Sequence, residues 1–226
     1  MGATQFRLLT TLGLRSNNKL LDFGCGSLRS GKLFIPYLDK GNYFGVEPNK
    51  WLIKDGINQE LGKTIMETKK PNFSSSDQFE VEFEESFDYA VAQSIFSHTS
   101  RNAATKCISS MLNSLSNNGL LALTFVEGKE DYSGIDDWVY PECTTFTRKT
   151  IKKILKLAGC KNYRRLPWFH PRQTWWLVAK NSSDLPSYFD TIFLLGGEEV
   201  KSTQYKNQHF LANRFRWARS FKGYGG

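Results

Sequence analysis

Apolar residues along this chain change their period several times, and each change marks an element. Leu20 and Leu21 lead a short apolar run that stops at Asp22; Tyr43 to Val46, Phe87 to Ala92 and Leu120 to Val126 are three more. Short apolar runs bounded by turn residues suit buried strands. Between them the spacing turns helical. Phe6, Leu8, Leu9 and Leu12 share a face in Thr4 to Leu14; Ser30 to Leu38 is helix-forming until Pro36, which should kink or end it. Trp51, Leu52, Ile53, Ile57 and Leu61 form a stripe after Asn49, and Ala104, Cys107, Ile108, Met111, Leu112 and Leu115 form another. Strands alternating with helices demand a parallel sheet with crossover helices on both faces, so the predicted class is α/β, doubly wound.

The second half is less regular. Lys69 to Phe83 is poor in helix formers and hard to place. Thr147 is positioned to cap a helix whose core stripe is Ile151, Ile154, Leu155 and Ala158, with Gly159 closing it. Strands are expected near Tyr163 to Trp168 and Thr174 to Ala179. Asn181 to Pro186 reads as a linker or turn, followed by an apolar run from Tyr188 to Leu195. The expected organisation is one domain over residues 1–180 and a C-terminal basic and aromatic extension over 181–226, which a length of 226 residues accommodates.

Composition narrows the class. An aromatic content of 14% allows a packed interior. There is no apolar stretch of about eighteen residues, and MGATQFRLLTTLGL lacks a charged start followed by an unbroken apolar segment, so a soluble cytoplasmic protein without a membrane span is expected. The cysteines Cys25, Cys107, Cys143 and Cys160 are widely spaced; they read as reduced thiols and no metal site is expected. The net charge of +8 is uneven. Arg148, Lys149, Lys152, Lys153, Lys156, Lys161, Arg164, Arg165, Arg172 and Lys180 fall in a stretch without acids, and Arg214, Arg216, Arg219 and Lys222 interleave with Phe215, Trp217 and Phe221. Such patches can meet phosphates, although a solvated lysine face is the commoner outcome.

The chemistry gathers at Lys19 to Asn49, KLLDFGCGSLRSGKLFIPYLDKGNYFGVEPN. A strand, a tight glycine turn, a helix and a second strand ending in an acid suit a nucleoside ligand. Glycines let the backbone come close, the helix start offers free N–H groups, and the carboxylate of Glu47 can accept both ribose hydroxyls. A dinucleotide turn would place a third glycine where Arg29 stands, so a pyrophosphate ligand is disfavoured. The run Asp22-x-Gly24-x-Gly26 instead resembles motif I of the class I S-adenosylmethionine (SAM) methyltransferases, with Leu28 at the position of the family's last glycine. GCGSLRSGKLFIPYL, GVEPN and AQSIFSH, the last at Ala92 to His98, are similar to a branch found in bacterial and viral enzymes of polysaccharide and small-molecule modification. The resemblance covers about Leu20 to Lys180.

That resemblance implies a Rossmann-like, mostly parallel seven-stranded sheet with an antiparallel hairpin at its edge, and an N-terminal helix closing over the cofactor. It implies SAM as cofactor, held by Asp22, Gly24, Cys25, Gly26, Glu47, Pro48, Asn49, Gln93 and Ser94. It also implies that strand three and an adenine loop lie in Lys69 to Phe83, with Asp77 accepting the adenine amino group and Phe79 covering a ring face; a surface turn is the alternative for that loop.

Methyl transfer from a sulfonium is an in-line displacement that depends on alignment in a dry pocket. A weakly acidic hydroxyl also profits from a base. His98, just past strand four, is the candidate; His170 is the reserve; His209 has no argument. The polar insertion from Glu127 to Thr145 follows a strand's carboxyl end, where Asp131, Tyr132, Asp136, Asp137 and Trp138 could form a sugar wall with Arg172 near by. Asp/Asn-Pro-Pro-aromatic, Pro-Cys and a metal-holding acid cluster are all missing after strand four, so an oxygen acceptor on a small molecule or glycan leads; the first reading is a sugar hydroxyl, in a glycan or nucleotide-sugar. RNA methylation through the basic helix and tail, a small natural product as acceptor, and a non-catalytic binding module remain the competing readings.

Overall fold

The computed structural model describes residues 1–133 and 137–187. Asp136, the run from Tyr188, His209 and the basic aromatic tail lie outside the described residues. In chain order the elements are α1 (Gly2–Thr11), β1 (Leu20–Phe23), α2 (Gly31–Tyr37), β2 (Tyr43–Val46) and α3 (Lys50–Gly56), which runs on as a π-helical turn (Ile57–Leu61). Then follow α4 (Lys63–Lys69), β3 (Asn72–Ser74), β4 (Phe87–Ala92), α5 (Arg101–Ser114), β5 (Leu115–Phe125), α6 (Arg148–Leu157), β6 (Asn162–Leu166) and β7 (Thr174–Ala179).

The strands form one seven-stranded sheet in the order β3-β2-β1-β4-β5-β7-β6. β1 pairs in parallel with β2 and with β4, and β4 with β5. β7 runs antiparallel to both β5 and β6, between which it lies. The order reverses direction between β1 and β4, which puts a crevice at the carboxyl ends of those strands.

Period-two alternation sorts the side chains onto the two faces. Leu21, Phe44, Ala90, Leu121, Leu123 and Trp176 pack beneath α5 and α6 with Ala104, Cys107, Ile108, Ile151 and Leu155. Leu20, Tyr43, Val91, Ala122, Trp175 and Leu177 pack on the opposite side against Leu8 and Leu9 of α1, Phe34 and Ile35 of α2 and Ile53 of α3. Both faces of the central strands are therefore apolar, as a parallel sheet covered on two sides requires.

Local signals mostly act where the sequence places them. Thr147 caps α6, its hydroxyl accepting from the Thr150 N–H at 3.2 Å. Gly159 ends that helix at a φ of +88°. Pro36 sits inside α2, which ends one residue later at Tyr37. Three expectations are corrected. Trp51 is not part of the core stripe and stands 66% exposed on α3. The helix at the amino end stops at Thr11. The strand expected from Leu120 begins earlier, at Leu115, so Asn117, Asn118 and Gly119 lie within β5, whose register against β4 shifts between the Phe87 and Tyr89 pairs. No helix among the described residues is long and apolar enough to cross a membrane.

Leu28 stands in the left-handed region at a φ of +58°, the conformation that explains why a glycine is usual at this point of the turn. Its side chain is nonetheless fully buried. Two glycines make room for it: a Cβ on Gly31 would lie 3.0 Å from the Leu28 Cβ, and one on Gly56 would lie 2.5 Å from the Ser27 carbonyl oxygen. A left-handed backbone costs an L-residue about 1–2 kcal/mol, whereas truncating a buried leucine costs about 2–5 kcal/mol, so packing wins. Leu28→Gly is expected to lower stability by about 1–3 kcal/mol in urea unfolding, the difference of these two effects; a gain in stability would show that strain dominates.

Candidate cofactor and acceptor site

The floor of the crevice is the turn after β1. Gly24 N–H and Cys25 N–H both donate to the Val46 carbonyl, at 2.8 and 3.1 Å, which stitches the turn to the end of β2. Gly24 and Gly26 have φ of +80° and +53°. A Cβ on Gly24 would strike Ile95 Cδ1 at 2.0 Å, while one on Gly26 would meet nothing within 4 Å. Glu47 is buried at 7% exposure, and its Oε2 accepts from Gly26 N–H at 3.1 Å. Its Oε1 accepts from the Asn49 backbone and side-chain N–H groups, at 2.9 and 3.1 Å. Pro48 and Asn49 themselves are exposed at the rim.

Asp22 and Cys25 lie beneath this surface. Asp22 Oδ2 accepts from Tyr43 at 2.8 Å and from Ser30 at 3.0 Å, and burial raises its carboxyl to about 6. It braces the turn from below. The Cys25 thiol is buried and pushed well above its ordinary value, chiefly by burial. A Cβ on Gly45 would meet its sulfur at 2.9 Å, so Cys25 fills the space between turn and strand rather than acting as a nucleophile.

At the carboxyl end of β4, Ser94 adopts a φ of +62° and its N–H donates to the buried Thr124 hydroxyl at 2.8 Å. Gln93 lies between Gln5 of α1, 2.9 Å away, and Nε2 of His170, 3.0 Å away. Gln173 donates to the Ser94 hydroxyl at 2.8 Å. α1 covers this end of the crevice. A Cβ on Gly2 would strike the Arg29 carbonyl at 2.0 Å, Trp168 donates to the Thr4 carbonyl at 3.1 Å, and the Arg7 guanidinium lies 4.8 Å over the Trp168 ring.

The two histidines differ in kind. His170 Nδ1 accepts from the backbone N–H groups of Gln173 and Arg172, at 2.9 and 3.2 Å, so its proton belongs on Nε2. Burial lowers its pKa to about 4, which keeps the ring neutral. Its Nε2–H therefore faces Gln93 as a donor. His98 Nδ1 lies 2.6 Å from the Glu142 carbonyl, an acceptor only, so that nitrogen carries the proton and Nε2 keeps its lone pair.

Around His98 stands an aromatic group. Its ring lies 5.6 Å from Trp138 and 5.2 Å from Tyr140, and Trp138 is 6.4 Å from Phe79. Trp138, Tyr140 and Tyr132 are exposed. Asp137 accepts from Ser100 at 2.6 Å. Asp131 accepts from Thr147 N–H, the Thr150 hydroxyl and Arg101 at 2.6, 2.6 and 2.8 Å. Partial burial opposes its ionisation, but these hydrogen bonds and the Arg101 charge hold its carboxyl below the ordinary value. It fastens the start of α6. Asp77 is exposed, 2.5 Å from its neighbour Gln78, and Arg172 is exposed in the β6–β7 connection. Sequence reading passed over Gln5, Tyr140 and Gln173. Only Gln5 left a signal, as the one amide on the apolar face shared by Leu8, Leu9 and Leu12. No group of three potential metal ligands occurs among the described residues.

The residues present fit an adenosyl cofactor. Gly26 has open space where a side chain would stand, beside a buried carboxylate with acceptor capacity and next to a topological switch point. The sheet order and this crevice are those of the Rossmann-like fold class. Residues 21–121 match the methyltransferase domain family. Three solved structures share the fold. The magnesium protoporphyrin IX methyltransferase of Synechocystis, with bound SAM, is 15% identical at a TM-score of 0.55 over 79% of this chain and 80% of that one. The glycopeptide N-methyltransferase MtfA is 10% identical at 0.60 over 80% and 91%. The sugar N-methyltransferase KedS8 of Streptoalloteichus is 15% identical at 0.56 over 79% and 86%. No curated protein matches the chain by sequence. The match and the shared fold indicate a SAM-dependent methyltransferase domain over residues 21–121.

The Asp22 environment gives a signed prediction. A folded-state value near 6 against 3.8 unfolded means that the folded protein binds the proton more tightly, so stability falls as pH rises from about 4 to 6. Both donors reach the same oxygen, which an amide carbonyl can replace. Asp22→Asn should therefore raise the melting temperature of the unliganded protein at pH 8, by about 1–3 kcal/mol of stability, with the gain shrinking as pH falls below 5. An equal gain at both pH values would refute this account.

Proposed function

We propose that this chain methylates a hydroxyl of a sugar, in a glycan or nucleotide-sugar, with His98 as general base. The observation that carries the reading is the 2.6 Å contact from His98 Nδ1 to the Glu142 carbonyl, which leaves Nε2 as a fixed lone pair. It lies beside an aromatic platform of Trp138 and Tyr140. Aromatic faces suit the C–H surface of a sugar ring, and Asp137 offers a carboxylate for its hydroxyls. Arg172, exposed in the β6–β7 connection, suits the phosphate of a nucleotide-sugar.

When bound, SAM supplies an activated methyl group. Glu47 and the Gly24–Gly26 turn hold the nucleoside, Pro48 and Asn49 border it, and Asp77 and Phe79 flank the adenine. Gln93 and Ser94 lie towards the reacting end, and His98 removes the proton of the attacking oxygen. Residues 1–180 carry this activity, with 181–226 as an appended segment.

A second acceptor has specific support. Two structural neighbours are named as sugar and glycopeptide N-methyltransferases, and an amine could occupy the same platform with His98 taking its proton. RNA is less well supported. Arg148 and Arg165, two cations of the basic stretch, are tied to Glu127 at 2.6 and 3.1 Å.

The experiment is mass spectrometry for the gain of one CH2 unit across glycans, amino sugars and nucleotide-sugars incubated with SAM, with RNA as counter-panel. A gain on a sugar hydroxyl is expected, and a gain on RNA alone would overturn the reading. On the sugar acceptor so identified, His98→Gln should cut turnover about 10²–10⁴-fold while SAM affinity stays nearly unchanged. Unchanged turnover removes His98 from the mechanism.

A further inference from the structure

The basic stretch of the second half becomes a surface once the chain is folded. α6 buries Ile151, Ile154 and Leu155 against the sheet and turns Arg148, Lys149, Lys152, Lys153, Lys156 and Leu157 outwards. Every exposed side chain of this helix except Leu157 is therefore cationic. Lys161, just past its end, is exposed as well. At 3.6 residues per turn, Lys149, Lys152, Lys153 and Lys156 form one stripe roughly 10 Å long. From Thr144 to Ser183 the chain contains no Asp or Glu.

Among the described residues the lysines of this stripe have no carboxylate partner. Glu127 pairs with Arg148 and Arg165, and the other ion pairs lie away from α6 or reach only Asp131 near its start. Like charges three and four residues apart on a helix repel, so the stripe weakens the helix that carries it. An anionic partner would remove that repulsion. Leu157, 66% exposed, adds an apolar side chain at the edge of the same face.

The make-up of the face selects among polyanions. Nucleic acid is gripped by forked guanidinium contacts and by aromatic faces on which bases stack. α6 has no aromatic residue, and Arg148 and Arg165 are held by Glu127. A lipid surface is a diffuse layer of anionic headgroups over hydrocarbon. Ammonium groups on flexible stems match the headgroups, and Leu157 matches what lies beneath them. We propose that the exposed face of α6 docks this protein on an anionic lipid bilayer, with Lys149, Lys152, Lys153 and Lys156 among the headgroups and Leu157 entering the interface. The helix starts at the polar insertion on the acceptor side: Thr147 and Thr150 donate to Asp131, and Arg148 to Glu127. Docking therefore brings that insertion close to the membrane surface, whichever acceptor the site takes.

Co-sedimentation of the full chain with vesicles tests this. The wild type should bind vesicles of equal parts phosphatidylcholine and phosphatidylglycerol, ignore phosphatidylcholine alone, and be released at about 1 M salt, where charges are screened within about 3 Å. Lys149→Gln, Lys152→Gln, Lys153→Gln and Lys156→Gln should each weaken binding about fivefold, and the four together should abolish it. Glutamine keeps the helix propensity of lysine, so the melting temperature should hold in each single variant. Leu157→Ser should weaken binding about three- to tenfold without changing its salt dependence. Replacing Arg214, Arg216 and Arg219 by glutamine should leave vesicle binding in place; loss of binding there, with the α6 variants binding normally, overturns the proposal. It is equally overturned if the wild type ignores the mixed vesicles or binds neutral ones as well. Binding of a homopolymeric RNA that the same lysine variants lose, with vesicles ignored, would assign the face to nucleic acid instead.

Discussion

Everything at the crevice depends on how closely two backbones approach each other. The turn after β1 gives two consecutive N–H groups to the single carbonyl of Val46, and the next side chain, Glu47, returns a carboxylate to the Gly26 N–H. The ends of β1 and β2 are thus held together by polar bonds at a point where the sheet pairing has stopped. Such a junction is affordable only with small residues around it. Gly45 leaves room for the Cys25 sulfur, and Gly56 lets α3 lie against the Ser27 carbonyl. Asp22 braces the junction from within, and its buried charge is the cost of that brace.

The same economy of space explains why α1 matters. With Gly2 against the Arg29 backbone and Trp168 bonded to the Thr4 carbonyl, the helix bridges the glycine turn and the β6–β7 connection, elements remote in sequence. It delivers a glutamine to the end of β4 from outside the sheet. The floor of the crevice is made from the first half of the chain, and its cover from α1 and the β6–β7 connection.

Much of the fold was legible because buried parallel strands and amphipathic helices leave strong periodic signals. Tyr43–Val46, Phe87–Ala92, Thr174–Ala179 and the Thr147 cap stand where the pattern put them. β3 was hard to place because Asn72–Ser74 is short and only half-buried, with no run of apolar residues to announce it. Trp51 misled because an aromatic residue at helical spacing looks like core whichever way it points. The places of Gly24, Gly26 and Glu47 beside one another were legible, since each follows closely on a strand end. The surroundings of Asp131 were not. Whether a loop carboxylate stands free or accepts from Thr147, Thr150 and Arg101 depends on contacts between segments far apart in the chain. The directions of the His98 and His170 rings are tertiary for the same reason.

The distribution of thiols has a practical side. Cys25, Cys107 and Cys160 are buried, and only Cys143 is exposed. It follows Glu142, whose carbonyl holds the His98 ring, and precedes Thr144, whose N–H is bonded to the Ser97 carbonyl at 2.7 Å. A maleimide dye or nitroxide attached to the native protein would therefore go to one address, on the strap that orients the histidine, and report its movements without any engineered cysteine.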